Sequence, residues 1–159
     1  MAQGPTSDAC AKKTELDAVD APVENADAFL QHEPVIPDIH LIIFASGRMS
    51  GRTLTWRASP EMEFNSLQHW GDYDPVCVAE YVRLKSRCGD RVTTFVPDNL
   101  ESILKRHGKR KLMTGQVETL THLRLDESDS HVARMIAMFD QYRKGLEQEV
   151  LYSEKFPDA

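Results

Sequence analysis

Recognisable catalytic signatures are what this sequence most conspicuously lacks. It contains no G-x-G-x-x-G turn, no G-x-x-x-x-G-K-[ST] phosphate loop, no H-E-x-x-H zinc helix and no G-x-S-x-G nucleophile elbow. Cysteine is scarce. There are three, Cys10, Cys77 and Cys88, and none forms a C-x-x-C pair, so no structural zinc and no redox dithiol is expected. Cys77 and Cys88 fall on one expected helix, about 16 Å apart at about 1.5 Å per residue, too far for a bridge. Long apolar runs are also absent. The longest, Ile39 to Ala45, includes His40, and a membrane span needs about 20 mostly apolar residues. The N-terminus has no apolar stretch of the signal-peptide kind. These absences point to a cytoplasmic chain with free thiols, no membrane association and no bound cofactor or metal.

What is present is segregated charge. Residues 1–40 hold eight acids and two bases, residues 41–125 thirteen bases and nine acids, and residues 126–159 eight acids and four bases. An acidic, Ala- and Pro-rich start with few large apolar residues cannot bury enough surface to offset its ordering entropy. The reading is an acidic disordered tail over residues 1–34, a single domain over 35–152 and a C-terminal tail over 153–159.

Within the domain, Ile39–Ala45 reads as a strand and Arg52–Ala58 as a second, alternating strand. Between them Ser46-Gly47-Arg48 is followed at once by Ser50-Gly51-Arg52. Two glycines with turn-forming serines predict a β-hairpin. A helix is expected from Ser59 to Trp70. A second runs from an Asp74 cap through Pro75 to a Gly89 stop. Arg91–Val96 reads as a strand, Leu100–His107 as a helix capped at Asp98, Gln116–Leu125 as a strand and Ser128–Tyr152 as a long helix. The expected fold class is α+β: a three- or four-stranded mixed sheet that starts with a hairpin, covered by helices, with a long C-terminal helix.

Three groups of residues carry candidate chemistry. Arg48 and Arg52, with Met49 at the hairpin tip, offer guanidinium forks to a phosphate or carboxylate, though a solvated turn explains them as well. His69, Asp72 and Asp74 in "HWGDYD" combine an imidazole with two carboxylates, a set able to bind a metal or to do acid–base work. Helix capping by Asp74 is the simpler account, and no catalytic or metal role is assigned. His40 and His122 could complete such a site only if the fold brought them there. Lys105, Arg106, Lys109, Arg110 and Lys111 in "KRHGKRK" are clustered cations of the kind that track a phosphate backbone.

The reading favoured by this balance is a small non-catalytic binding or regulatory protein that acts through a protein partner, more plausibly no enzyme than an enzyme. A nucleic-acid-associated protein using Arg48, Arg52 and the Lys105–Lys111 loop comes second. A small hydrolase or metal-dependent enzyme around His69, Asp72 and Asp74 comes third.

Overall fold

Four short strands of three to five residues form one sheet. The computed structural model describes residues 19–23, 26–30, 41–44, 47–62, 66–125 and 129–151. Strand β1 is Val19–Val23, β2 Leu41–Phe44, β3 Ser66–His69 and β4 Val92–Thr94. They lie in the order β2-β1-β3-β4, and every pairing is parallel. The register sets Ala21 against Ile42, Asp20 against Leu67 and His69 against Thr94.

Parallel neighbours cannot be joined by a tight turn and need a crossover. Helices supply it: α1 (Ala26–Leu30) between β1 and β2, α2 (Gly51–Arg57) between β2 and β3, and α3 (Pro75–Cys88) between β3 and β4. Three more helices follow, α4 (Leu100–His107), α5 (Val117–Leu123) and α6 (Ser130–Tyr142). Val23, Leu67, Trp70, Tyr81, Leu84, Ile103, Leu104 and Phe139 are among the buried residues of one continuous core.

The α+β class and the strand number agree with the sequence reading, but the sheet is parallel, not mixed, and it does not start with a hairpin. Residues after the doubled tripeptide form α2, because Ser50 caps it by accepting the Thr53 N–H at 3.1 Å. Leu54 and Arg57, three apart, are its buried side, so the alternation of Leu54 and Trp56 was misleading. Trp56 is half exposed.

The acidic tail is likewise corrected. β1 lies inside residues 1–34, yet it is a central strand with partners on both sides. The unit therefore begins no later than Val19. Residues 1–18, 24–25, 31–34 and 153–159 lie outside the described residues. β1 escaped notice because Asp20 counts as a solvated acid. In the fold its carboxylate is buried and paired with the buried Arg57 guanidinium, and the Arg57 Cζ sits 4.8 Å from the Trp56 ring centroid.

Other elements shift as well. Where one helix was expected from Ser59, a 3₁₀ turn at Pro60–Met62 precedes β3. Where Gln116–Leu125 was expected as a strand, Val117–Leu123 forms helix α5, with Leu120 and Leu123, three apart, both drawn into the core. α4 is capped at Asn99 rather than Asp98, with no side-chain cap bond. The long C-terminal helix ends at Tyr142, where Arg143 takes a left-handed backbone at φ 51°.

Two outcomes test this architecture. A chain shortened to begin at Val35 loses β1 and should show no cooperative thermal transition; a melt close to that of the full chain would remove β1 from the core. Arg57→Ala strands the buried Asp20 carboxylate and should cost about 3–5 kcal/mol in denaturant unfolding, whereas a cost under about 1 kcal/mol would show the pair to be solvated.

Candidate functional site

In open parallel sheets, ligands bind beyond the carboxyl ends of the strands, at the point where the strand order reverses. Here the chain steps from β1 outward to β2, then returns across β1 to β3. The reversal therefore lies between β1 and β3, whose carboxyl ends are tied where Val23 bridges Trp70. The sequence that follows Trp70 is Gly71-Asp72-Tyr73-Asp74.

Each of these residues is held in place. Asp74 caps α3, its Oδ1 accepting the Cys77 N–H at 2.9 Å, and Pro75 fixes the first helical φ. Tyr73 exchanges two backbone hydrogen bonds with Leu146, at 2.8 and 3.0 Å. Asp72 Oδ1 accepts the Gln148 N–H at 2.9 Å. Burial raises the Asp72 pKa to about 6, with further upward pressure from the Asp74, Glu149 and Glu147 carboxylates, while the Gln148 N–H acts the other way. The Asp74 pKa is also raised, first by burial, against the Cys77 and Val76 N–H groups. Two carboxylates thus stand at the switch point in a field that disfavours their charge, which is the environment that a cation would relieve.

His69 lines a small cavity together with Asp72 and Tyr73. His69 itself is buried and donates from Nε2 to the Cys77 carbonyl at 3.2 Å. Its ring is stacked on Tyr81. Burial lowers its pKa to about 4, so it is neutral at physiological pH and serves as packing. His122 lies exposed on α5, and His40 lies outside the described residues.

The basic loop is brought to the same place. Lys109 exchanges backbone hydrogen bonds with Gly145, at 2.7 and 3.1 Å. The short segment Gly145–Gln148 therefore carries the loop on one edge and Tyr73 and Asp72 on the other. Gly145 is buried, and nothing larger fits there: a Cβ would meet Leu112 Cβ at 2.8 Å and Asp74 Cβ at 3.2 Å. Lys105, Arg106, Lys109, Arg110 and Lys111 are all exposed. Lys105 pairs with Glu101 at 3.0 Å, and Lys109 and Lys111 both pair with Glu147. Glu147 and Gln148 were missed in the sequence because they sit inside the stretch read as continuous helix. The signal was available in Arg143-Lys144-Gly145, a glycine just past an amphipathic run.

The doubled tripeptide is organised differently from its expected role. The side chain of Arg48 is largely exposed, but its Nε donates to buried Glu80 at 3.0 Å. Glu80 also accepts from Arg83 Nε at 2.7 Å and the Met49 N–H at 3.1 Å. Burial raises the Glu80 pKa, but hydrogen bonds from Arg83 and Arg48 outweigh it and leave the pKa lowered. Met49, expected to be exposed, is buried at 5% exposure. Arg52 is exposed in the first turn of α2. This loop is first of all a clamp on α3.

Among the described residues no group of three or more His, Cys, Asp or Glu is placed to hold a metal ion alone. No helix among them is long and apolar enough to cross a membrane. A family model described as "Wadjet protein JetD, C-terminal" matches residues 5–157. No curated protein and no solved structure matches the chain.

The raised Asp72 pKa has a consequence for stability. The folded chain holds this proton more tightly than the unfolded one, so the contribution is full below the ordinary value of 3.8 and lost as pH rises through about 6. Asp72→Asn keeps an acceptor for the Gln148 N–H and removes the charge. It should melt above the parent chain at pH 7.5, with the two curves converging near pH 4. A variant that melts lower at pH 7.5 would show that the carboxylate is not under electrostatic stress.

Proposed function

This chain belongs to the Wadjet JetD C-terminal family, and from that premise we propose that it is a DNA-directed module of the anti-plasmid defence system of that name, acting on phosphodiester bonds through a divalent cation at Asp72 and Asp74. The observation that carries this reading is the seam at Gly145–Gln148, which sets a cationic loop beside a carboxylate pair at the switch point of a parallel sheet. Two of the sequence readings, the basic nucleic-acid footprint and the metal-dependent enzyme, become parts of one surface. His69 drops out of it.

The donor set fits a hard cation. Magnesium is commonly held by one or two carboxylates together with substrate phosphates and water, without an all-protein cage. Asp72 and Asp74 are such a pair. When bound, the cation would supply Lewis-acid polarisation of a phosphoryl oxygen. The chain's own residues do the rest. The Gln148 N–H orients Asp72, the α3 cap orients Asp74, and Lys109, Arg110 and Lys111 offer charge to the flanking phosphates.

A role for a protein partner has separate support. A groove between α3 and α5 is lined by Ala79, Val82, Glu118, Thr119, His122 and Leu123, and Val117 and Leu125 nearby are 74% and 81% exposed. Large apolar side chains standing in solvent together suit contact with another subunit.

The test is cleavage of closed circular DNA with added magnesium or manganese. Asp74→Asn retains a capping side chain, so it should keep its melt, yet lose about 100-fold or more in rate, beyond what loss of an orienting partner costs a metal site. Asp72→Asn should lose rate to a similar degree. Manganese binding by calorimetry should fall in both variants. Cleavage that survives in Asp74→Asn, or that needs no divalent cation, would return the chain to a non-catalytic binding role.

A further inference from the structure

We propose that Glu147 is an internal stand-in for a DNA phosphate, its carboxylate filling the place between Lys109 and Lys111 that a backbone phosphate takes when DNA enters. The inference rests on the DNA-directed reading above and adds a means of regulation to it. Two ammonium groups from one loop converge on a single carboxylate: Lys109 Nζ pairs with Oε2, and Lys111 Nζ lies 3.7 Å from Oε1. A phosphate group presents the same kind of anionic oxygens to such a pair. The Lys109 and Lys111 side chains are 45% and 73% exposed, against 27% for Glu147. An ion pair so open to water contributes little and is readily exchanged.

Its position gives the exchange a purpose. Glu147 immediately precedes Gln148, whose N–H holds Asp72. With DNA absent, the carboxylate keeps two cations neutralised and the loop closed on the Gly145–Gln148 segment. With a phosphate in its place, the Glu147 charge is released beside the Asp72 and Asp74 pair. Cation demand at the centre then rises as DNA arrives, so the strand and the metal favour one another's binding.

DNA affinity of the full chain, measured by fluorescence anisotropy in EDTA across a salt series, tests this without cleavage. Glu147→Gln should bind a short duplex about 10-fold more tightly than the parent at 0.1 M salt. Glu118→Gln, which removes an exposed acid from α5, should change affinity less than about 2-fold. Lys109→Gln with Lys111→Gln should weaken binding and flatten the salt dependence by up to about two phosphate contacts. In that double background Glu147→Gln should give no gain. Equal gains from Glu147→Gln and Glu118→Gln would mean only a lowered overall charge and would overturn the proposal. So would a persisting gain without the lysines. If the lysine variant weakens binding while Glu147→Gln matches the parent, the stand-in fails and the DNA-directed reading survives. If no form binds DNA, both fail.

Discussion

Parallel pairing of β1 on both of its edges is the constraint on which the rest of this structure depends. It fixes the reversal of strand order between β1 and β3, and with it the end of the sheet where chemistry can be placed. A parallel sheet must be covered on both faces, which is why each connection carries a helix. It also explains a buried charge in a short strand. Asp20 has no solvent to face from the centre of the sheet, and α2, delivered by the crossover from β2, brings Arg57 to it. Such a pair adds little net stability over an apolar match, but it punishes a wrong register, since either partner alone would be an uncompensated buried charge.

The parts of the fold visible in the sequence are those specified by local chemistry. α3 could be read from Asp74, Pro75 and Gly89 because cap, first-turn proline and stop act within a few residues of each other. α4 was similarly plain from Leu100, Ile103 and Leu104. The parts that were hidden depend on partners far along the chain. Asp20 looks solvated until Arg57, 37 residues on, is placed against it. Thr119 and Thr121 favour extension, but the burial of Leu120 and Leu123 against the rest of the core overrides them. In α2, seven residues are too few to separate a helical from an alternating pattern, and the exposed Trp56 tipped the reading the wrong way.

The site divides along the same line. That Asp72 and Asp74 are candidate acid–base or cation-binding groups, and that Lys105–Lys111 is rich in cations, follows from residue type and spacing. That the two lie side by side does not, because their neighbourhood is created by Gly145–Gln148, a segment that contributes backbone more than side chains. The acidic and basic blocks of the sequence read as separate territories. In the fold, an acidic stretch is the surface on which the basic loop rests, through Glu147, while the backbone of that same stretch orients Asp72.

Gly145 sets a length. With Leu112 Cβ, the Tyr73 carbonyl and Asp74 Cβ all within 3.2 Å of where its side chain would begin, the cationic loop and the carboxylates are separated by one bare backbone. The spacing between them is therefore a property of neither group's own residues. A lineage could exchange lysine for arginine in the loop and leave that distance unchanged. A single methyl group at this one position would act as a shim, pushing the cationic loop and the carboxylates apart.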